Sequence, residues 1–171
     1  MTNNRLSRTF FQNDVLQVAP QLLGKKLVVN KNSESEKYII TEVEAYRGEE
    51  DLACHASKGR TTRNEIMYAA GGHVYVYLIY GMYWMLNFVT GSAGNPQAVL
   101  IRGVDGINGP GKITKRFAID GSFYGEDLTT SNRIWIENHP LTGKIKTTPR
   151  IGIDYAGEYW KNLPWRFVLI D

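Results

Sequence analysis

Two acidic side chains in the segment "TEVEAY", residues 41–46, are the first candidates for chemistry. The alternation of a β-strand places Glu42, Glu44 and Tyr46 on one face, together with Ile40. A carboxylate beside aromatic rings can have a shifted pKa and can serve as a general base for water. The alternative is a solvent-facing pair on an edge strand, and the spacing of the two glutamates does not decide between these interpretations.

The histidines and the single cysteine are the candidates for metal binding or nucleophilic catalysis. Cys54 and His55 are adjacent, and the chain has neither a C-x-x-C nor an H-x-x-x-H pair. This spacing does not match a zinc site, so the sequence predicts no zinc. Cys54 is conceivable as a nucleophile, but a partly buried bystander thiol on a short helix is the favoured interpretation.

A glycine-rich turn and scattered cations provide candidate phosphate contacts. The sequence "GPGK", residues 109–112, precedes a predicted helix, whose N-terminal N–H groups and Lys112 can hold a phosphate. An ordinary helix entry explains the same four residues. Cationic side chains suit sequence-independent contacts with nucleic-acid phosphates, although exposed surface cations produce the same pattern. The other cations near these segments are Lys58, Arg60, Arg63, Arg102, Lys115 and Arg116.

The segment "YVYLIYGMYW", residues 75–84, contains four of the ten tyrosines and one of the four tryptophans of the chain. Its alternation, broken at Tyr80 and Gly81, predicts two strand arms joined by a tight turn. Val76 and Leu78 are expected to anchor this hairpin on one face. Its rings belong either to the core or to a surface that inserts into a partner.

The rest of the pattern predicts mostly strands connected by hairpins. Helical spacing indicates a helix that Asn13 or Asp14 caps and Gly24 ends. Short helical turns are expected to end at Gly59 and at the pair Gly71 and Gly72. These features predict an α+β fold with a mostly antiparallel sheet. Strands are predicted at "KLVVN" (26–30), "KYIITEVEAY" (37–46), "QAVLIRGV" (97–104), "RIWIEN" (133–138), "IKTTPRIGI" (145–153) and "WRFVLI" (165–170), and a helix within "GPGKITKRFAI" (109–119).

Length and composition limit the class of protein. The 171 residues are enough for one domain with its own core, so we predict a single domain over residues 1–171. Hydrophobic and charged residues make up 43% and 22% of the chain, which excludes wholesale disorder. The net charge of +3 permits a nucleic-acid partner without requiring one. The single cysteine, the absence of a signal-peptide pattern and the lack of a membrane-length apolar run predict a cytosolic protein that has no membrane contact.

Several segments together resemble the alkyladenine DNA glycosylases, also called 3-methyladenine DNA glycosylases. They occur in the family's order from about Leu6 onward: "TEVEAYRGEEDLACHASKGRTTRNEIMY", "YVYLIYGMYWMLNFV", "AVLIRG", "GPGKIT", "RIGI" and "WRF". The resemblance implies a repair enzyme that flips an alkylated purine out of duplex DNA and hydrolyses its N-glycosidic bond without metal or cofactor. It further implies a monomer, associated with the nucleoid when bound to DNA. The implied domain is compact, with a curved antiparallel sheet and a hairpin that inserts into the minor groove.

The resemblance also implies catalytic residues. Glu44 matches the carboxylate that activates water for attack on C1′ of the deoxyribose, and only the resemblance selects it over Glu42. Arg102 matches the arginine that helps to position the water and the DNA backbone. No lysine in the pocket motifs resembles a Schiff-base nucleophile, so a monofunctional glycosylase without strand-cleaving activity is expected.

The implied DNA-binding residues follow from the same motifs. Tyr46, His55 and Tyr77 match the rings that stack on the flipped base. Asn87 matches the residue that excludes guanine through a clash with its 2-amino group, and Tyr80 matches the hairpin residue that fills the vacated stack. Contacts with the DNA backbone are expected from Arg60, Thr61, Met82 and Lys112.

The chain departs from the family pattern after Arg102. Only "GVDGIN" separates this arginine from "GPGK", where members usually carry "RALEP" and a longer insertion. Gly103 and Asp105 stand at the expected Ala and Glu-Pro positions, so DNA contacts of that loop are not carried over. Arg47 stands where a smaller or apolar residue is usual. The alternative function is a non-catalytic nucleic-acid-binding module on a similar barrel-like sheet.

Overall fold

The structure, a computed structural model, describes residues 3–171, which form four helices, nine strands and four short 3-10 turns. None of the helices in this range is long and apolar enough to cross a membrane. The helices are α1 (Arg8–Phe11), α2 (Val15–Leu22), α3 (Pro110–Phe117) and α4 (Gly157–Lys161). The strands are β1 (Lys26–Lys31), β2 (Glu34–Arg47), β3 (Val74–Ile79), β4 (Tyr83–Val89), β5 (Gln97–Val104), β6 (Ile107–Asn108), β7 (Ile134–Glu137), β8 (Lys144–Thr148) and β9 (Arg166–Ile170). The 3-10 turns are His55–Lys58, Glu65–Tyr68, Gly121–Phe123 and Asp154–Ala156.

The strands form an antiparallel sheet in which β2 is central. Its order is β3-β4-β5-β2-β1-β7, while β6 pairs with β5, and β9 pairs with both β2 and β8. Glu44 on β2 lies between Leu100 of β5 and Arg166 of β9, so its backbone is held from both sides. The predicted α+β fold, a single compact domain with an antiparallel sheet, is confirmed. The sheet is not closed into a barrel.

A register shift in β2 changes which of its residues share a face. The pairing with β5 shifts between Ile40 and Glu42 and again between Glu42 and Val43. Ile40 is therefore buried in the same core cluster as Val43 and Ala45. Its predicted position on the face of Glu44 was wrong, because an extra residue in one strand interrupts strict alternation.

Helix α2 packs against the sheet as the sequence predicts. Asp14 caps it, since its carboxylate accepts a hydrogen bond of 2.9 Å from the N–H of Leu16. Pro20 lies inside the helix, which continues to Leu22 and ends where Leu23 becomes extended. The buried face of the helix consists of Val15, Val18, Ala19 and Leu22. Helices α1 and α4 were not predicted, because each is too short to show a helical period.

The predicted strand at residues 145–153 was only partly correct. Strand β8 ends at Thr148, and the next residue is Pro149. Proline has no N–H group to donate to a strand ladder, so the pairing stops there. Residues 149–153 instead form an irregular segment that contacts the end of β2.

The turn between β3 and β4 is where the sequence predicts it. Ile79 pairs with Tyr83, which leaves Tyr80, Gly81 and Met82 outside the ladder. Tyr80 and Gly81 have φ values of 51° and 64°. Glycine adopts this left-handed conformation without a steric penalty, whereas a tyrosine rarely does. The tight turn therefore aims the Tyr80 side chain away from the sheet.

Burial decreases along the hairpin toward its turn. Val76 is in the core, but Leu78 is 37% exposed, so its predicted anchoring contribution was wrong. Tyr75 is buried, and Trp84 packs against the main core. Tyr83 is 46% exposed. The hairpin consequently has a core-anchored base and a tip that extends beyond the core.

Candidate active site

Glu44 is a fully buried carboxylate at the centre of the sheet. The hydroxyl of Tyr46 donates to its Oε1 at 2.9 Å, and the backbone N–H of Ile151 donates to its Oε2 at 2.7 Å. Nη1 of Arg102 lies 3.7 Å from Oε1. Hydrogen bonds and a nearby cation offset part of the cost of burying a charge. They also fix the direction in which both carboxylate oxygens point.

Burial is the largest influence on the acidity of Glu44, and it raises the pKa of this carboxyl above its ordinary value. The charge of Arg102, the N–H of Ile151, the Tyr46 hydroxyl and the charge of Arg150 all lower the pKa, and they only partly offset burial. A carboxylate with a raised pKa is a stronger base when it is ionised. The environment of Glu44 thus suits general-base chemistry.

Glu42 has different partners from Glu44. Its Oε1 accepts hydrogen bonds from Nε of Arg102 at 3.0 Å and from Nε of Arg166 at 2.7 Å. Two guanidinium groups therefore share one carboxylate oxygen. Because Arg102 contacts Glu42 through Nε, its Nη1 is free to face Glu44. Glu42 orients the arginine, whereas Glu44 is the carboxylate next to the aromatic pocket.

One pocket contains all four predicted base-binding side chains. Tyr46 links this pocket to Glu44, because its ring lines the wall while its hydroxyl binds the carboxylate. The rings of His55 and Tyr77 meet at 62°, with centroids 4.4 Å apart. The lining residues are Tyr46, Ala53, Cys54, His55, Met67, Tyr75, Tyr77, Asn87, Ala98 and Tyr155. A mostly aromatic cleft with a few polar groups is typical of a small-molecule or base-binding site.

His55 is held as a neutral ring. Its Nδ1 lies 2.8 Å from the hydroxyl of Tyr75. Burial, together with the charge of Arg63, lowers the pKa of His55 to about 4. The imidazole is therefore uncharged at neutral pH and does not repel a cationic ligand.

Asn87 is nearly fully buried at the inner wall of the pocket, with 3% of its surface exposed. Its amide nitrogen lies 3.3 Å from the carbonyl oxygen of Tyr75 and 3.4 Å from that of Met85. Both distances are slightly longer than is usual for N–H···O bonds, so these bonds are weak. They hold the side chain against the hairpin backbone, with the rest of the amide at the pocket.

The hairpin tip provides the most exposed aromatic side chain among the predicted site residues. Tyr80 is 87% exposed and Met82 is 64% exposed. Arg63 ties the hairpin to the neighbouring loop, since its Nη2 donates to the carbonyl of Leu78 at 3.1 Å and its guanidinium lies 5.2 Å from the centroid of the Tyr77 ring. The residues at the tip are thus exposed, whereas the end of β3 is held by Arg63.

The other predicted DNA contacts are exposed residues in two different elements. Arg60 and Thr61 are exposed in the loop that follows the 3-10 turn His55–Lys58. Arg60 forms an exposed ion pair of 3.1 Å with Glu65. Lys112 is exposed in the first turn of α3, outside the pocket lining.

Cys54 is buried at the pocket wall and is 2% exposed. Burial raises the pKa of its thiol to about 12. The thiolate is the nucleophilic form, so this environment opposes nucleophilic catalysis by Cys54. Within residues 3–171, His, Cys, Asp and Glu side chains form no group of three or more that could hold a metal ion.

Sequence reasoning did not identify three residues that build this site. Asp51 and Arg150 form a buried ion pair next to Tyr46. Tyr155 is 71% exposed at the pocket mouth, and its hydroxyl donates to the carbonyl of Ala53 at 3.1 Å. Asp51 and Arg150 lie within the "TEVEAYRGEEDLACH" and "RIGI" segments, and charged residues inside such motifs were the available signal.

Comparisons with known proteins agree with the geometry. The family model for methylpurine-DNA glycosylase (MPG) matches residues 9–171. A relative from Methanocella arvoryzae is 43% identical over 95% of this chain and 90% of its own length. Relatives from Legionella pneumophila strain Corby and Natranaerobius thermophilus are 43% and 40% identical, each over 98% of this chain and over 95% and 96% of their own lengths. All three bear the name "Putative 3-methyladenine DNA glycosylase". The chain belongs to the methylpurine-DNA glycosylase family.

Proposed function

We propose that this protein is a DNA-3-methyladenine glycosylase. It hydrolyses the N-glycosidic bond of 3-methyladenine and related alkylated purines in duplex DNA and leaves an abasic site. The observation that carries this proposal is the buried carboxylate of Glu44 directly behind an aromatic pocket. Residues 1–171 act as one glycosylase domain, and the protein is a monomer.

In the proposed reaction, ionised Glu44 accepts a proton from a water molecule. The water oxygen forms a bond to C1′ of the deoxyribose, and the bond from C1′ to the purine nitrogen breaks with its electron pair going to the base. Positive charge develops on the sugar as the base departs, and the negative charge of Glu44 stabilises it. Arg102 positions the water and the DNA backbone, and it is itself oriented by Glu42.

The pocket is proposed to select the base through its charge and shape. Alkylation at N3 or N7 makes a purine cationic, so it leaves more readily and is attracted to aromatic faces by roughly 0.5 to 2 kcal/mol. Tyr46, His55 and Tyr77 supply those faces, and the low pKa of His55 keeps its ring from opposing the positive charge. Asn87 excludes guanine by clashing with its 2-amino group.

Base extrusion is proposed to depend on the hairpin. Flipping a base costs a few kcal/mol in lost stacking and pairing, and this cost is smallest for a damaged pair. Tyr80, 87% exposed at the tip, enters the gap and offsets part of the cost. Arg60, Thr61, Met82 and Lys112 contact the DNA backbone on either side.

The competing function is a non-catalytic nucleic-acid-binding module. Such a module needs cations and an exposed surface but has no use for a carboxylate that is fully buried against a pocket. Burial of a charge is costly, so a binding module gains nothing from retaining it. The site of Glu44 therefore favours the glycosylase.

A single-turnover excision assay tests the proposal. The substrate is a methylated duplex, and the release of 3-methyladenine and the integrity of the DNA strand are measured separately. We expect base release with an intact strand, as a monofunctional enzyme requires. Tight binding of the duplex without base release by the wild-type protein would favour the binding module, and strand cleavage would contradict monofunctional action.

A further inference from the structure

The strongest unexplained feature of the molecule is a buried arginine that the proposed reaction does not use. Arg150 and Asp51 form an ion pair whose two side chains are both fully buried. Nη1 and Nη2 of Arg150 donate to the two oxygens of Asp51 at 2.7 Å and 3.0 Å. Burying such a pair is costly, and replacing it with apolar residues is often neutral or stabilising. A requirement at the neighbouring site explains its presence better than stability does.

The contacts of Arg150 connect three separate chain segments around Glu44. Its Nη1 also donates to the carbonyl of Ala45, the residue after Glu44, at 3.0 Å. The next residue along the chain, Ile151, donates its backbone N–H to Oε2 of Glu44 at 2.7 Å. Because Ile151 lies in an irregular segment and is 49% exposed, its position depends on how firmly Arg150 is held.

The guanidinium group of Arg150 is also held between two rings. It lies 4.9 Å from the centroid of Tyr46 and 5.0 Å from that of Trp165. Tyr46 in turn donates its hydroxyl to Oε1 of Glu44 at 2.9 Å. Arg150 therefore supports both hydrogen-bond donors of Glu44, the N–H through the chain and the phenol through its ring.

We propose that Arg150 is a positioning residue for the general base: clamped by Asp51, Tyr46 and Trp165, it holds the Ile151 N–H and the Tyr46 hydroxyl on the two oxygens of Glu44. This inference rests on the proposed glycosylase function. Arg150 is not among the residues that line the pocket, so in this inference it acts through Glu44 alone. The groups that face Glu44 are Tyr46 on its own strand, Tyr77 on β3, Arg102 on β5, and Arg150 and Tyr155 on the C-terminal segment.

The test uses Arg150→Lys and Arg150→Ala in single-turnover excision of 3-methyladenine as a function of pH. The Ile151 N–H and the charge of Arg150 both lower the pKa of Glu44. Arg150→Ala loses the charge and the support of Ile151, so its acidic limb moves to higher pH, whereas Arg150→Lys keeps a charge and its limb moves less. In Arg150→Ala we expect a shift of about one pH unit and a rate roughly 10²-fold lower at pH 7, with duplex affinity nearly unchanged. Millimolar guanidinium restores part of the rate in Arg150→Ala.

Arg8→Lys is the matched control. Arg8 also pairs with an aspartate, Asp127, and donates to a backbone carbonyl, that of Gly71 at 2.9 Å, but neither partner contacts Glu44. We expect an unchanged acidic limb in this variant. If the Arg150 variants lose activity only in proportion to their loss of folded protein, with the wild-type acidic limb, Arg150 is merely structural and the inference is wrong.

If the Arg150 variants do not fold, a less disruptive variant tests whether Arg150 positions Glu44. Trp165→Leu keeps every charge but removes one of the two rings that clamp the guanidinium, so a smaller shift of the acidic limb in the same direction is expected. An unshifted limb overturns the inference. Excision by the wild-type protein is measured first: its failure removes the proposed function, whereas active wild-type protein with unshifted variants removes only the inference.

Discussion

The carboxylate of Glu44 and the tip of the β3–β4 hairpin are opposite kinds of environment within one proposed site. Glu44 is fully buried, bonded through both oxygens and faced by a cation. Tyr80 at the tip is 87% exposed and sits on a left-handed backbone. In the proposed reaction, the step that depends on a precise angle takes place where packing fixes the side chain. The proposed insertion into DNA uses a side chain that is almost fully exposed and therefore has little packing to lose.

The comparison predicts that damage to the two regions separates into different measurements. A change at Glu44 alters the chemical step and leaves DNA binding intact. A change at the tip alters base flipping and leaves the folded state intact.

The largest effect is expected from Glu44→Gln. The amide has nearly the same shape as the carboxylate but cannot take a proton from water, so the single-turnover excision rate falls roughly 10²- to 10⁴-fold. Binding of an abasic-site duplex, measured by fluorescence anisotropy, remains close to that of the wild type. Full excision activity in a well-folded variant would falsify the role of Glu44.

The second-largest effect is expected in the pH dependence of the wild-type excision rate. Burial raises the pKa of Glu44, so the protonated, inactive form persists to a higher pH than for an exposed glutamate. The excision rate falls about tenfold per pH unit below that pKa. His55, with a pKa of about 4, contributes no titration near neutral pH. A rate profile measured from pH 4 to 9 checks this, and an acidic limb at the value of an exposed glutamate contradicts it.

A smaller effect is expected at the tip. Tyr80→Ala removes the wedge, and the flipping equilibrium weakens roughly tenfold, or about 1.4 kcal/mol. The melting temperature stays within about 1 °C of the wild-type value, because exposed substitutions have little effect on stability. Fluorescence of 2-aminopurine next to the lesion reports flipping. Tyr159→Ala, which removes a tyrosine that is 69% exposed outside the hairpin, serves as the control. A large fall in melting temperature for Tyr80→Ala alone returns this ring to a structural role.

The smallest effect is expected at Cys54. Its thiol lies in the pocket wall but is buried, and its pKa is raised to about 12. Cys54→Ala therefore retains excision activity within about twofold, and iodoacetamide labels the native wild-type protein slowly. Mass spectrometry follows the labelling. A loss of activity comparable to that of Glu44→Gln restores a chemical role for the thiol.

The elements that the sequence predicts well are those with a strong local signal. The turn at Tyr80 and Gly81, the cap at Asp14 and the alternating arms of the hairpin depend on neighbouring residues alone. Ile40 was misplaced because the shift in β2 depends on its pairing with β5, a strand far away in sequence. Leu78 was misplaced because alternation predicts which face a residue occupies but not how far the core extends beneath it.

The residues of the site also differ in how well the sequence predicts them. The family resemblance selected the pocket residues, and the structure places Tyr46, His55, Tyr77 and Asn87 around one pocket. The resemblance did not indicate that Asp51 pairs with Arg150, because the two residues lie 99 positions apart in the chain. A pair of this kind forms only in the folded protein, where distant segments of the chain come together.

The tight packing around Gly103, which has no side chain, limits which residues can replace it. A Cβ atom at this position would lie 2.9 Å from Oγ1 of Thr41 and 3.1 Å from Cβ of Glu42, at the register shift that presents Glu42 to Arg102. Alanine at 103, the residue usual in the family segment "RALEP", therefore requires the Thr41 hydroxyl to move and Cβ of Glu42 to give way by a few tenths of an ångström. Substitutions at positions 41, 42 and 103 are therefore expected to depend on one another, because these three residues meet beside the arginine that faces Glu44.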